Sequence, residues 1–402
     1  MNEAPSHLMR GFPLAEGHRL LPFEVYRSQS TTHWFMQHVR EVLGTADLGG
    51  PRSGHDVSDL PQNSRDLAGM LVNSSVASRA TSLEAVLDAT DTDGFLVLSH
   101  GALVYEKYFN GMTPETPHMW QSVSKSLVSC VVGNLAEDGR IDLDGTVATY
   151  VPELCDSAYG DARVRHLLDM QVGIDYSEDL DDLDSQVVEL DRIYGVRPGR
   201  KPTHPGSSYD FAKTTHKRGE HGGGFDYVSL NVNVLAWVME RISGTWLPEL
   251  IRREVWGKLG AEHDAYVALD RAGSAQAESG VCSSLRDLAR LGLALLHGGR
   301  LNGCQVVSAP WVDEIMGGGD REAFARRNGG GALPDGSYKN NFWVARFGAD
   351  AAFMGLGIYG QLLYVNPAAD LVAAKFSTQR QADAADCFAL EFRLCEDLAQ
   401  VL

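Results

Sequence analysis

Two predicted β-hairpins lie far apart in the chain and strongly constrain its fold. In the first, GFLVLSHGALVYEKYF (94–109), two apolar runs flank a Ser-His-Gly turn. In the second, IYGQLLYV (358–365) and LVAAKFS (371–377) flank the turn NPAAD. Amphipathic helical patterns such as VNVLAWVMERISG (232–244) occupy the interval. The sequence therefore predicts an α/β (α+β) fold, in which helices flank a central antiparallel sheet and a mostly helical lobe is inserted.

This pattern divides the chain into three predicted regions. Residues 81–154 and 276–402 are expected to form an α/β sheet domain, and residues 155–275 a mostly helical domain. Residues 1–80 mix Gly, Pro, Ser and Asp, with a short helix expected near 32–43. Because aromatic and apolar residues recur there, we expect an irregular N-terminal extension packed on the body.

Composition and charge exclude several classes of partner. The chain has 402 residues, a formal net charge of −18 and a pI near 5.1, whereas nucleic acids and anionic membranes attract clustered Lys and Arg. No apolar run approaches the ~20 residues that span a bilayer, and the N-terminus lacks the pattern of a secretory signal. Six scattered cysteines are typical of free, buried thiols. We therefore expect a cytoplasmic protein that binds neither nucleic acid nor membranes.

The stretch HMWQSVSKSLVSCVVGNLAEDG (118–139) places Ser122 three residues before Lys125, at the start of an apolar helix. This spacing lets an amine reach the serine hydroxyl, and a helix N-terminus favours developing negative charge. A lysine accepts a proton at neutral pH only if burial or a positive field disfavours its charged form, and apolar neighbours can supply the burial. The alternative is that the serine only caps a core helix, so the pair alone does not establish catalysis.

Longer motifs around this pair resemble a known superfamily. SVSKSL is followed by EDGRID, YVPEL, LDMQVGIDYSED (168–179), VLAWVMER and LPDGSY (333–338). Together they resemble the penicillin-recognising serine hydrolases, which include class C β-lactamases, D-alanyl-D-alanine peptidases and esterases, and within them the 6-aminohexanoate-dimer hydrolases of nylon oligomers. The resemblance covers about residue 90 to the C-terminus and implies a β-lactamase-like fold and an acyl-enzyme. The sequence contains no Gly-x-Ser-x-Gly motif, which counts against an α/β-hydrolase.

In that superfamily a Tyr-x-Asn motif supplies a proton-relaying tyrosine. The matching stretch, GGGFDYVSLNVNVLAW (222–237), makes Tyr227 the candidate. The third position is Ser229, and Asn231 lies two residues further on. A serine hydroxyl can still bond to Lys125 or to substrate, but the change disfavours recognition of the β-lactamase type. The alternative for Tyr227 is an ordinary core tyrosine beside a helix start.

The superfamily's third motif, Lys-Thr-Gly, lies on a strand that lines the cleft. Its counterpart here is GIYGQ (357–361), with Tyr359 in place of the lysine that binds substrate carboxylates. The resemblance implies an oxyanion hole formed by the backbone amides of Ser122 and Ile358, since such a site needs only N–H donors. Tyr359 and Ser229 become candidate substrate-binding residues.

The resemblance also implies a site for a free amino group in the acidic stretch DYSEDLDDLDSQVVELDR (175–192), which is expected to be a loop. Asp191 is the candidate for contacting a substrate ammonium, and a solvated acidic loop is the alternative. Relatives that cleave nylon oligomers have a tyrosine where this chain has Leu180. An amine leaves less easily than an alkoxide, so the loss of a nearby hydroxyl weakens amide cleavage more than ester cleavage. Ester cleavage is therefore the better supported of the two.

The resulting expectation is a serine hydrolase with a Ser122, Lys125 and Tyr227 centre that acts on short carboxylic esters and on linear amides such as 6-aminohexanoate oligomers. The alternatives are a D-amino-acid peptidase or β-lactamase, and a non-catalytic ligand-binding protein on the same scaffold. No metal or other cofactor is expected, since no His-Glu-x-x-His motif occurs. Relatives suggest a homodimer, although the sequence identifies no interface.

Overall fold

The computed structural model describes residues 8–50, 57–73, 81–198, 206–328, 333, 335–348 and 350–402. Its α-helices are α1 (Gln29–Gln37), α2 (Leu83–Ala89), α3 (Ser124–Glu137), α4 (Val147–Tyr150), α5 (Val164–Leu168), α6 (Gln186–Tyr194), α7 (Ser208–Ala212), α8 (Leu230–Ser243), α9 (Leu247–Ile251), α10 (Gly257–Leu259), α11 (Leu285–Leu296), α12 (Ala309–Gly317), α13 (Arg321–Asn328) and α14 (Ala385–Val401). One residue of the LPDGSY motif, Pro334, lies outside the described residues.

The strands are β1 (Thr45–Gly49), β2 (Leu71–Val72), β3 (Thr81–Ser82), β4 (Thr92–Ser99), β5 (Ala102–Tyr108), β6 (His118–Met119), β7 (Ala265–Ala268), β8 (Val281–Ser283), β9 (Arg300–Leu301), β10 (Cys304–Gln305), β11 (Ser337–Lys339), β12 (Phe342–Phe347), β13 (Asp350–Gly357), β14 (Gln361–Asn366) and β15 (Leu371–Ser377). Short 3-10 helices lie between some of these elements, and a π-helical turn, Arg252–Trp256, joins α9 to α10.

Both predicted hairpins form and lie side by side in one antiparallel sheet, whose order is β11-β12-β13-β14-β15-β4-β5. Val97 of β4 lies opposite Ala373 of β15, so segments far apart in the chain are neighbours in the sheet. Every residue of β4 and β15 is buried, as is usual for strands covered on both faces. Helix α11 packs across β14, β15 and β4. The predicted antiparallel sheet flanked by helices is confirmed.

The N-terminal extension contains more regular structure than the sequence predicts. The short helix expected near 32–43 is α1, which begins at Gln29. Strand β1 pairs with β7 in a second sheet of order β1-β7-β8-β6, so part of the extension completes a sheet and is not irregular. Parts of residues 1–80 (1–7, 51–56 and 74–80) lie outside the described residues.

Helices α4 to α10 follow one another between the segments that build the large sheet. Helix α8, expected from VNVLAWVMERISG, ends at Gly244, whose φ of +62° suits a glycine at a helix C-terminus. Strand β7 pairs with β8 across the boundary expected at residue 275, so the two predicted domains share the smaller sheet. The three-part division stays a proposal. No helix among the described residues has the length and apolar character needed to cross a bilayer.

Candidate active site

Ser122 lies in a 3-10 turn, Gln121–Val123, that leads directly into α3. Helix α3 has Val123 at its N-cap position and no side-chain hydrogen bond caps it, so the interpretation of Ser122 as a simple cap is wrong. All residues from 118 to 133 are buried except Ser122, which is partly exposed. The sequence therefore folds into an apolar helix start that presents one hydroxyl to the outside.

Lys125 lies beneath that hydroxyl, with only 1% of its surface exposed. Its Nζ is 2.6 Å from Ser122 Oγ and donates a second hydrogen bond to the carbonyl oxygen of Glu278 at 3.0 Å. The burial that the apolar flanks predict is present. These two contacts hold the amine against the serine hydroxyl, at a distance suited to proton transfer.

Tyr227 lies in the segment before α8, and its ring faces the same amine. Lys125 Nζ is 5.1 Å from the centre of that ring, while neither hydrogen bond of the amine goes to the phenol hydroxyl. The Tyr227 ring stacks on Trp343 at 5.6 Å and meets Tyr338 edge-on at 6.1 Å. Ser122, Lys125 and Tyr227 are thus brought together from two distant segments, with the phenol supported by aromatic packing.

Of the two partners that the sequence left open for Ser229, Lys125 and substrate, Lys125 is not the one it contacts. Its backbone amide and its Oγ both donate to the carboxylate of Glu178, the hydroxyl at 3.1 Å. Asn231 is turned into the core, where its Oδ1 accepts a bond from Tyr159. Ser229, which stands where the family motif has an asparagine, is therefore bonded to the carboxylate of Glu178.

Glu178 is a site residue that sequence reasoning missed. Burial raises its pKa to about 7, although the nearby charge of Lys125 and the hydrogen bonds from Ser229 lower it. With Tyr227, Trp343 and Asp179 it lines a cavity of about 440 Å³, a size that suits a small molecule. The acidic stretch was the available signal, but nothing local in it distinguishes Glu178 from its neighbours.

Strand β13 ends beside Ser122, where glycine allows a close approach. A Cβ on Gly357 would lie 2.7 Å from the carbonyl oxygen of Trp120, so only glycine fits without displacement. The next amide, that of Ile358, donates to no acceptor within the described residues. Tyr359 follows in a turn rather than on the strand expected from the third motif. A free amide at this point is what an oxyanion site requires.

Asp191 lies in α6, not in the loop that the acidic stretch predicts. Its Oδ2 accepts a hydrogen bond from Arg197 Nε at 3.0 Å. Burial raises the pKa of Asp191 to about 6, and Arg197 opposes that rise. The carboxylate also acts electrostatically on Tyr359, whose pKa burial raises to about 12. Asp191 is therefore near the third motif, but it already has a cationic partner.

Tyr26, from the N-terminal extension, also borders this region and was not singled out from the sequence. Its ring stacks on Tyr359 with centroids 5.6 Å apart. Arg197 lies 6.0 Å from the same ring. Nothing in the composition of residues 1–80 indicates that one of them reaches the third motif. Among the described residues, no group of His, Cys, Asp and Glu side chains could hold a metal ion.

Comparison with known proteins is consistent with this geometry. A family model described as Beta-lactamase matches residues 82–396. The chain is 39% identical over 328 residues to 6-aminohexanoate-dimer hydrolase of Paenarthrobacter ureafaciens, an alignment that covers 81% of this chain and 83% of that protein. The chain belongs to the Beta-lactamase family. The resemblance inferred from the sequence motifs is confirmed.

Solved structures resemble this Beta-lactamase family chain as well. A Bacillus anthracis protein provisionally described as a 6-aminohexanoate-dimer hydrolase matches with a TM-score of 0.87 and 28% identity, covering 96% of this chain and 98% of that one. A D-stereospecific amidohydrolase from Streptomyces sp. has a TM-score of 0.57 and 16% identity, covering 78% and 99%, and shares the fold. The predicted β-lactamase-like fold is thus confirmed, and the chain is a hydrolase of the serine β-lactamase-like family.

Proposed function

We propose that Ser122 is the nucleophile of this hydrolase, Lys125 its base and Tyr227 its proton relay. The observation that carries the proposal is the 2.6 Å distance between Lys125 Nζ and Ser122 Oγ, at a point where the amine is buried and the serine is open to the outside. A neutral amine at that distance can take the hydroxyl proton as the oxygen attacks a carbonyl carbon.

In the first half-reaction a bond forms between Ser122 Oγ and the carbonyl carbon while the hydroxyl proton passes to Lys125. The carbonyl oxygen gains negative charge, which the amides of Ser122 and Ile358 stabilise. The bond to the leaving group then breaks, and Tyr227 delivers a proton to the departing atom and regains one from Lys125. Water attacks the acyl-enzyme with the same groups in reversed roles, which releases the acid and restores Ser122.

The substrates we propose are short carboxylic esters and linear amides with a free ω-amino group, of which 6-aminohexanoate oligomers are an example. The relative that is 39% identical carries that substrate in its name. Asp191 would contact the substrate ammonium while keeping its bond to Arg197, since a carboxylate has acceptor sites for two cationic donors. Tyr359 would line the same end of the site, and Ser229 would act on substrate through Glu178.

Ester cleavage is the better supported of the two reactions. Leu180 offers no hydroxyl to a departing amine. It lies two residues after Glu178, which lines the cleft. An amide nitrogen must be protonated before it leaves, whereas an alkoxide or phenolate leaves more readily. We therefore expect faster turnover of esters than of amides with the same acyl group.

Three substrates and a covalent probe test this proposal. We expect hydrolysis of p-nitrophenyl butyrate, slower hydrolysis of the 6-aminohexanoate dimer, and little of nitrocefin. A fluorophosphonate should label the protein and fail to label Ser122→Ala, while Ser126→Ala, which loses a buried hydroxyl bonded to the carbonyl oxygen of Asn341, should still be labelled. Equal labelling of both variants would contradict the proposal, and nitrocefin as the best substrate would favour a β-lactamase.

We also propose a reducing, cytoplasmic location and a homodimer. All six cysteines are free, which supports the first. Three of them, Cys130, Cys282 and Cys395, are buried as expected, but Cys155 and Cys304 are exposed. Exposed thiols persist more readily where thiols are kept reduced. Light scattering of the purified chain in a reducing buffer would test the dimer.

A further inference from the structure

Two residues beside the proposed oxyanion donors have left-handed backbone conformations, which residues with side chains rarely adopt. Gln121, directly before Ser122, has a φ of +49°, and Tyr359, directly after Ile358, has a φ of +63°. Such conformations cost free energy and persist only where surrounding groups hold them. The direction of the Ser122 N–H depends on the backbone of Gln121, because the two residues share a peptide plane.

Tyr26 contacts both of these residues. Its hydroxyl oxygen accepts a hydrogen bond from Gln121 Nε2 at 3.1 Å. Its ring stacks on Tyr359, with centroids 5.6 Å apart and planes within 11° of parallel. Phe35 of α1 packs edge-on against the Tyr26 ring at 5.8 Å and so limits its movement. One side chain of the N-terminal extension therefore joins the turn that carries Ser122 to the turn that follows Ile358.

The side chain of Gln121 has further contacts with α1. It is 3% exposed, and its Nε2 lies 3.5 Å from the sulfur of Met36 as well as 3.1 Å from the Tyr26 hydroxyl. A hydroxyl oxygen accepts a hydrogen bond far better than a thioether sulfur does. The Tyr26 hydroxyl is therefore the stronger of these two partners for the Gln121 amide.

We propose that Tyr26 is a positioning residue, which holds the Ser122 and Ile358 amides in place by binding Gln121 through its hydroxyl and Tyr359 through its ring. The inference rests on the proposed function, because it takes these two amides to be the oxyanion donors. Such donors act only within about 2.7–3.1 Å of the developing oxyanion, so a small displacement weakens them. The extension then supports the chemistry without touching the reacting atoms.

Two variants separate the contacts of Tyr26. Tyr26→Phe removes the bond to Gln121 and keeps the ring, whereas Tyr26→Leu removes both contacts. Removing a whole oxyanion donor costs about 10²–10³ in kcat, so we expect smaller losses of about 5-fold and about 50-fold with p-nitrophenyl butyrate. KM should stay within about twofold, because oxyanion donors stabilise the transition state and not the bound substrate.

The decisive readout is affinity for butylboronic acid, whose tetrahedral adduct with Ser122 mimics the oxyanion. Its inhibition constant should rise by the same factor as kcat falls, which a loss of folding alone would not produce. Tyr150→Phe is the matched control, because its hydroxyl accepts a bond from the Asp142 amide at 2.9 Å in the connector after α3. Unchanged boronate affinity in Tyr26→Leu, or losses confined to KM, would overturn the inference.

Gly357→Ala distinguishes failure of this inference from failure of the proposed function. Its Cβ would press on the Trp120 carbonyl oxygen and move Ile358 away from Ser122. If it weakens boronate binding while the Tyr26 variants do not, the oxyanion assignment stands and the role of Tyr26 is wrong. If it leaves boronate binding intact, the assignment is wrong, and the role of Tyr26 is overturned with it.

Discussion

The amine of Lys125 lies 2.6 Å from the hydroxyl oxygen of Ser122, although α3 begins only after the serine. A 3-10 turn carries Ser122 into the helix, so the three-residue spacing still places both side chains on one side. The carbonyl of Glu278 holds the amine from another segment. The local backbone geometry therefore brings Ser122 and Lys125 together, and the tertiary contact with Glu278 holds the amine in place.

Replacing Lys125 tests its role as base. We expect Lys125→Met to slow acylation by p-nitrophenyl butyrate about 10³-fold at pH 7, because Ser122 then has no acceptor for its proton. Lys125→Arg should not restore the rate, since a guanidinium stays protonated. Stopped-flow measurement of the acylation burst gives the rate, with the exposed Lys217→Met as control. A normal burst in Lys125→Met would exclude the lysine as base.

Replacing Tyr227 tests the proton relay through the choice of leaving group. Tyr227→Phe keeps the ring against Trp343 and removes the phenol proton. We expect about 10²–10³-fold slower cleavage of the 6-aminohexanoate dimer but a much smaller loss with p-nitrophenyl butyrate, whose leaving group needs no proton. Tyr338→Phe, in the same aromatic cluster, is the control. Equal losses on both substrates would argue against a relay.

The pH dependence of stability tests the environment of Glu178. Burial raises its pKa to about 7, above the ordinary value for a glutamate, so its contribution to stability is present at low pH and lost as pH rises through about 7. Glu178→Gln cannot ionise. Its stability relative to the unaltered protein should therefore rise as the pH is raised from 5 to 8. Thermal unfolding of both at several pH values measures this. Asp179→Asn on the same cleft is the control, and a pH-independent difference for Glu178→Gln would refute the prediction.

A buried cluster around Asp93 links α1 to the strand before Ser122. Asp93 is completely buried and lies 3.1 Å from His33 Nδ1 and 3.2 Å from His118 Nε2, with a bond from Thr378 Oγ1 at 2.6 Å. Burial alone would raise the pKa of Asp93, but hydrogen bonds from His118 and His33 outweigh it and hold the pKa well below its usual range. Burial lowers the pKa of His33, and Asp93 more than reverses this.

Asp93→Asn should destabilise the protein by about 3–5 kcal/mol, because it removes the negative charge that buried His33 and His118 contact. The lowered pKa of Asp93 gives stability that is present above its ordinary value and lost only in strong acid, while the raised pKa of His33 gives stability that is lost as pH rises past it. The loss in Asp93→Asn should therefore be larger at pH 5.5 than at pH 8.5. Urea unfolding at both values measures it, and the opposite order would contradict the assignment.

Substrate charge tests the role of Asp191. Asp191→Asn should raise KM for the 6-aminohexanoate dimer about 10-fold, the effect of losing one charged hydrogen bond, and leave KM for the uncharged p-nitrophenyl butyrate unchanged. Asp182→Asn, on the exposed loop before α6, is the control. A similar change for both substrates would show that Asp191 supports the fold through Arg197 and does not select the ammonium.

The sequence by itself determined the features that depend on neighbours along the chain. The two hairpins, the helix after Ser122 and its spacing to Lys125 follow from local periodicity and turn residues. The family motifs added Tyr227 and Ile358, which the structure brings towards the same helix start.

Only the tertiary structure decided which distant groups meet. It linked Ser229 to Glu178 rather than to Lys125, placed Asp191 in a helix beside Arg197, and brought Tyr26 of the extension to Gln121 and Tyr359. No local pattern encodes such contacts, because each joins segments whose separation along the chain says nothing about their separation in space. Packing of the whole core selects them.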